Sequence, residues 1–176
     1  MVELRDMCQS DIEDYVRWFT VETEWGDWDA PWEPFEESED AQRKGWTAYY
    51  QSVKALPDDA VRWKYEIDCD GIHIGWICCY RDLEYTENPE GYPAIGLDIP
   101  EKKYRGNGNG TKAFVMFLDY LSSHGAKHFY TQTWSGNLPM LRLAEKLGFQ
   151  EVHRVREYRE VNGQKFDAIT FRLDVE

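Results

Sequence analysis

The chain has 176 residues, the length of one ordinary domain that can bury a sizeable core without metal or disulfide staples. Apolar residues make up 42% of it and aromatics 15%, with 8 tryptophans, which excludes a disordered or low-complexity chain. The formal net charge of −13 opposes broad contact with nucleic-acid phosphates or anionic lipid and favours a basic or amine-bearing partner.

The opening stretch MVELRDMCQSD lacks the apolar run of a signal peptide, and no segment approaches the roughly 18 consecutive apolar residues of a membrane span. A cytoplasmic protein is expected. Met1 to Met7 reads as a first strand, and Ser10-Asp11 as the cap of a helix with Ile12, Tyr15, Val16 and Phe19 on one side. From Thr20 to Asp40 the chain is rich in tryptophan and acid and broken by Pro31 and Pro34, an ordered loop leading into a helix near 36–52. Residues 61–68 and 72–80 form a predicted hairpin at the Asp70-Gly71 turn. After a polar loop, AIGLDI at 94–99 reads as a buried strand closed by Pro100.

A helix from about Gly110 carries Phe114, Phe117, Leu118 and Leu121 at helical spacing and ends at Gly125. HFYTQTW at 128–134 is the next strand. Asn137 then caps a helix with Met140, Leu143, Ala144 and Leu147 on one face and Gly148 at its end. Two last strands, 149–161 and 165–174, meet at Asn162-Gly163. Residues 1–176 therefore read as a single mixed α/β domain with a strand–helix–strand crossover at its centre. Internal repeats are absent from the sequence, and neither the four cysteines (8, 69, 78, 79) nor the four histidines (73, 124, 128, 153) fall at metal-ligand spacing, so buried reduced thiols and no metal are expected.

The segment YRGNGNGTKAF at 104–114 places three glycines and two asparagines between an arginine and an apolar helix. Each ordered glycine is entropically costly, so a backbone this open implies that something must approach it closely. Coming off a strand and opening a helix, the loop presents free N–H groups at a positive dipole end, which suits a phosphate or pyrophosphate. Its spacing matches neither G-x-x-x-x-G-K-[ST] nor a dinucleotide G-x-G-x-x-G, where Thr111 stands in place of the last glycine.

R-G-N-G-N-G, Arg105 to Gly110, matches R-x-x-G-x-G, and N-L-P-M-L-R-L-A-E-K-L-G-F begins at Asn137, 27 residues beyond Gly110. The pairing resembles the GNAT superfamily of acetyl-CoA-dependent N-acetyltransferases, and E-K-L-G-F after S-G-N is most similar to the branch that acetylates protein N-terminal amines, ribosomal proteins included. The resemblance implies a mostly antiparallel central sheet of about seven strands, about four helices and a central β-α-β crossover. It implies acetyl-CoA as donor, no metal, and an acceptor that is a peptide N-terminus or a small amine. Homodimers are common among such enzymes, and no helix or edge strand here demands one.

By the same resemblance the pyrophosphate of coenzyme A lies on Gly106, Asn107, Gly108, Asn109 and Gly110, flanked by Arg105 and Thr111. The pantetheine arm runs beside Leu97, Asp98 and Ile99, and Asn137 reaches it from the later helix. Asp98, the one ionisable residue inside AIGLDI, is the candidate general base. Many members carry a tyrosine acid just before E-K-L-G-F, where this chain has Ala144; Tyr130 and Tyr158 are substitutes by residue type alone. A thiol with a pKa of about 8.5 leaves as thiolate with little assistance. The loop Thr20–Asp40 holds nine acids and no lysine or arginine, with Glu24, Trp25, Trp28 and Trp32 as the candidate contacts to a cationic amine.

Overall fold

In the computed structural model, which describes residues 1–175, the chain runs β1 (Val2–Arg5), α1 (Asp11–Thr20), α2 (Gly26–Asp29), α3 (Glu39–Lys54), β2 (Lys64–Cys69), β3 (Ile72–Tyr80) and β4 (Ala94–Asp98). It continues through α4 (Asn109–Ser123), β5 (His128–Trp134), α5 (Leu138–Lys146), β6 (Gln150–Val161) and β7 (Gln164–Asp174). The turn residues fix the register of the outer hairpins. Asp70 and Gly71 take φ of 53° and 78°, and Asn162 and Gly163 take 52° and 76°, the left-handed pairs that match strand twist in two-residue hairpins.

The seven strands lie in the order β1-β2-β3-β4-β5-β7-β6, antiparallel throughout except where β4 meets β5. That one parallel pair is joined by α4, since parallel neighbours need a crossover. The expected mixed sheet and central crossover are both present. A fifth helix, the single turn α2, stands inside the predicted loop, held because Trp25 just before it is buried and its indole donates to the Trp18 carbonyl at 2.9 Å.

Side chains alternate across the sheet, so each strand feeds two cores. Ile67, Ile77 and Ile95 pack with Phe114, Phe117 and Leu121 of α4, all essentially solvent-free. On the other face Trp76 joins Tyr15, Trp18 and Trp25 beneath α1 and α3. Ser38 caps α3 by accepting the Ala41 N–H at 3.3 Å. Ser10 does not cap α1; instead the Asp11 carboxylate reaches back to the Cys8 N–H at 2.7 Å and pairs with Arg5. Cys8 is exposed and not buried as expected, while Cys69, Cys78 and Cys79 are half-buried and all four are unpaired.

His73, buried on β3, stands between acids of two elements. Its Nδ1 lies 3.1 Å from Asp14 and 3.5 Å from Asp11, and its Nε2 lies 3.1 Å from Glu66, which also accepts from Tyr15 at 2.6 Å. Burial alone would lower the imidazole pKa, but Asp14 and Glu66 outweigh it and push it up to about 9. The folded value is above the unfolded value of about 6.5, so this stabilisation is complete below pH 6.5 and is lost as pH rises through about 9. We expect His73→Gln to cost about 3 kcal/mol at pH 6. Thermal melts across pH 6 to 9.5 should show the gap to the parent narrowing, and a gap independent of pH would contradict a charged His73.

Candidate active site

The two parallel strands at the centre of the sheet touch and then separate. Their only register pair is Ala94 with Tyr130, reinforced by the Tyr130 N–H on the Pro93 carbonyl at 2.9 Å and the Thr131 hydroxyl on the Ile95 carbonyl at 2.8 Å. Beyond that point β4 stays paired with β3 as far as Asp98, and β5 stays paired with β7 as far as Trp134. A gap therefore opens between two firmly held strands. Along it the inner edge of β4 from Gly96 onward offers backbone groups to an extended ligand, as an exposed strand edge does. Gly75 helps to shape this end of β4, because a Cβ there would collide with the Asp98 carbonyl. A glycine inside the apolar strand IHIGWICCY is the sequence signal for that close approach.

At the far end of the gap the glycine loop turns into α4. Gly106 and Gly108 take φ of 77° and 80°, which other residues adopt only with strain, and the space a Cβ would occupy at either is empty. The first helical hydrogen bond is Lys112 N–H to the Gly108 carbonyl at 3.0 Å, so among the described residues the N–H groups of 106–111 have no carbonyl partner. A row of unpartnered donors with open space above it fits an anionic group such as a pyrophosphate. Gly110 lies against β4, 3.4 Å from Leu97 measured from the site of a Cβ. The Lys146 ammonium donates to the Thr111 hydroxyl at 3.4 Å, which puts a cation beside the loop.

On the opposite face a cleft of about 390 Å³ lies between the α2 region, the β3–β4 loop, the ends of β5 and β7, and β6. Four acids line it, Asp29, Glu33, Asp82 and Glu84, against one cation, Arg159, which pairs with Glu84 and stacks 4.7 Å above Trp32. Tyr80, Tyr85, Trp134 and Tyr158 complete an aromatic wall, and Tyr158 donates to Glu84 at 3.1 Å. Acids and ring faces in one concavity attract a cationic amine.

Alternation settles which way Asp98 points. It stands opposite Trp76 on β3, on the sheet face of the α1–α3 core, the same side as the acid-lined cleft. Burial pushes its carboxyl well above the carboxylate range and the neighbouring Asp29 pushes further, with Arg105 and Lys64 pulling back. Asp29, exposed at the surface beside the cleft, is itself raised, by partial desolvation and then by Glu33. Asp98 does not line the cleft, whereas Asp29 does. Asp29 was illegible as a cleft residue in the sequence, one of nine acids in its loop with no pattern to separate it from the others.

The remaining predicted residues divide. Leu97, Asp98 and Ile99 flank the gap, and Trp32 lines the cleft. Trp25 is a core residue and does not reach the cleft, because burial and its bond to Trp18 hold it inside. Trp28 is partly exposed, with its carbonyl accepting from the Trp134 indole at 2.7 Å and its own indole donating to Glu24 at 3.3 Å. Glu24 in turn pairs with Arg105 at 2.7 Å. Asn137 caps α5 by accepting the Met140 N–H at 3.1 Å, and Asn109 is buried with its amide on the Tyr104 carbonyl at 3.0 Å. The Asn107 amide donates to the Lys103 carbonyl at 3.2 Å. Ala144 is fully buried.

Residues 2–150 match the family model of the acetyltransferase (GNAT) domain. Over 85 residues the chain is 31% identical to N-alpha-acetyltransferase 30 of Schizosaccharomyces pombe, a match covering 48% of this chain and about half, 55%, of that relative's length. The fold is similar to that of a ribosomal-protein-S5-alanine acetyltransferase from Vibrio fischeri, with a TM-score of 0.74 at 18% identity, covering 99% of this chain and 93% of that one. It is similar also to the structure of yncA, a putative acetyltransferase from Salmonella typhimurium with its cofactor acetyl-CoA. There the TM-score is 0.65 at 15% identity, over 100% and 95% of the two chains.

The desolvated carboxyl of the half-buried Asp98 gives the site a signature that needs no substrate. With its folded pKa raised above about 3.9, Asp98 costs stability as pH rises from about 4 through the folded value. Asp98→Asn should therefore melt a few degrees higher than the parent at pH 8, with the advantage shrinking toward pH 4. A variant less stable at pH 8 would show that the carboxylate is well solvated or paired.

Proposed function

The chain belongs to the acetyltransferase (GNAT) domain family, whose members draw their acetyl group from acetyl-CoA, and we propose that it transfers that group to the primary amine of a peptide N-terminus or a small cationic molecule. Attack is direct, within a ternary complex and with no covalent enzyme intermediate. The observation that carries this reading is the gap between β4 and β5, with unpartnered N–H groups on one side of it and an acid-lined cleft on the other. A donor and an acceptor can enter from opposite faces and meet there, which is the entropic core of a two-substrate transfer.

Acetyl-CoA, when bound, supplies a thioester activated toward amines. The N–H groups of 106–111 hold its pyrophosphate, and the free edge of β4 at Leu97 and Asp98 orients the arm. The Ile99 carbonyl already accepts the Arg105 Nε–H at 2.7 Å, which leaves it one lone pair for that contact. On the acceptor side the acids and rings of the cleft draw in an ammonium group, and the Asp29–Asp98 carboxyl pair takes the proton that the amine must lose. A carboxyl raised by burial is better matched to this task than a solvated one, because its pKa lies nearer the working pH. Ala144 supplies no acid, so the thiolate leaves without a proton from α5, which its pKa of about 8.5 permits near neutral pH.

The direct test is thiol release from acetyl-CoA with N-terminal peptides, polyamines, aminoglycosides and free amino acids. Acceptor-dependent release is expected, with the peptide or cationic amines preferred over neutral ones. Acetyl-CoA binding without turnover on any amine would favour a non-catalytic acyl-CoA-binding domain, the reading to which Ala144 lends itself. Two variants locate the chemistry. Gly108→Val should abolish acetyl-CoA binding in calorimetry while leaving the circular dichroism unchanged, since positive φ and lost access act together. Asp98→Asn should lower kcat by about 100-fold or more, and a kcat within a few-fold of the parent would exclude it as a base.

A further inference from the structure

Arg105 opens the R-x-x-G-x-G segment, where a free guanidinium would face a pyrophosphate, yet three of its five N–H donors are engaged elsewhere, one on each nitrogen. Nε–H donates to the Ile99 carbonyl at 2.7 Å, one terminal nitrogen donates to the Pro100 carbonyl, and the other to the Glu24 carboxylate at 2.7 Å. Glu24 is 81 residues away along the chain, at the start of the loop that supplies Asp29, Trp32 and Glu33 to the acid-lined cleft. Its second oxygen accepts the Trp28 indole N–H at 3.3 Å. The Trp28 carbonyl in turn accepts the Trp134 indole N–H at 2.7 Å, and Trp134 is the last residue of β5, on the opposite bank of the gap.

A continuous polar strap thus runs from the end of β4 and the entry to the glycine loop, through Arg105, Glu24 and Trp28, to Trp134. Granting the acetyltransferase reading above, we propose that Arg105 is a positioning residue and not a phosphate ligand. Through Glu24 it ties the acceptor loop to the donor loop, so that filling the donor site orders the amine site. Three features support this. The guanidinium grips two successive carbonyls of the segment that leads into the glycine loop, so any ligand that orders that loop orders Arg105 with it. The Arg105 contact holds the Glu24 carboxyl below its usual range against the opposing pull of burial, so the pair stays charged at neutral pH. The acceptor loop has no lysine or arginine of its own, so its attachment to this region relies on a cation brought from outside it.

The consequences separate this role from phosphate binding. Glu24→Gln removes the ionic link and leaves the guanidinium held by the Ile99 and Pro100 carbonyls alone. A strap predicts that acetyl-CoA affinity stays within about twofold while the amine KM rises about two- to fivefold with little change in kcat, the size expected for a partly exposed ion pair. Arg105→Gln should raise the amine KM by the same factor, and the double variant by no more than either single one, because both remove one link. If Arg105 serves the phosphates, Arg105→Gln weakens acetyl-CoA binding about tenfold with the amine KM unchanged, and the proposal falls.

A second measurement does not depend on having found the amine. Acetyl-CoA should slow amide hydrogen exchange across residues 22–33 in the parent protein and fail to do so in Glu24→Gln. Equal protection in both would overturn the strap while leaving the acetyltransferase reading intact. Failure of the parent to bind acetyl-CoA in calorimetry would overturn that reading, and the strap with it.

Discussion

The separation of β4 from β5 is the constraint from which the rest of the site follows. A sheet ordinarily satisfies both edges of a central strand, and leaving one edge unpaired over several residues costs hydrogen bonds unless another chain-like ligand supplies them. Here the opening is held from both sides, by β3 against β4 and by β7 against β5, so it cannot close by sliding one strand toward the other without breaking those ladders. The Thr131 hydroxyl on the Ile95 carbonyl marks where closure ends. Because α4 begins just past the mouth of the opening, its unpaired N–H groups lie in line with the free edge of β4. One extended ligand can then meet both.

The two faces of the gap differ in character because the two faces of the sheet do. Toward α4 the alternating residues are isoleucines and phenylalanines, a dry core that keeps the glycine loop on a rigid support. Toward α1 and α3 the same strands present Glu66, Trp76 and Asp98, with Lys64 held 4.5 to 4.7 Å above the rings of Tyr15, Trp46 and Tyr49. Burial lowers that lysine and raises Asp98, the expected responses of opposite charges to the same low-dielectric surroundings. The face to which we assign the amine is therefore the one on which charge is already expensive, where a proton acceptor with an ordinary solution pKa would be poorly matched.

Local signals in the sequence carried most of the architecture. Asp70-Gly71, Asn162-Gly163, the Asn137 cap and the 3.6-residue stripe of α4 each act within a few residues, and all of them appear where the pattern puts them. The donor loop was legible for the same reason: its glycines announce positive φ and open space before any partner is known. The acceptor side was not, because its residues are assembled from distant parts of the chain. Nothing near Asp29 indicates that it will face Asp98 and Glu33, and nothing near Trp25 indicates that it will be covered while Trp32 lines a cleft. The same limit applies to Arg105, whose motif suggests a phosphate partner although its guanidinium is occupied by Glu24 and two carbonyls.

The net charge of −13 bears differently on the two substrates. A strongly acidic surface repels the phosphates of coenzyme A at long range, so a donor site must rely on short-range contacts, and on our reading the backbone N–H groups of the glycine loop would provide them without adding a side-chain charge that acids nearby would neutralise. The same field attracts an ammonium group, and the cleft concentrates it further with four acids against one cation already paired to Glu84. Once bound, however, the amine must become neutral to attack, and the acids that drew it in also favour its charged form. On the proposed reading the raised carboxyls of Asp29 and Asp98 would resolve that conflict, since a carboxyl short of solvation gains by taking the proton that the amine has to give up.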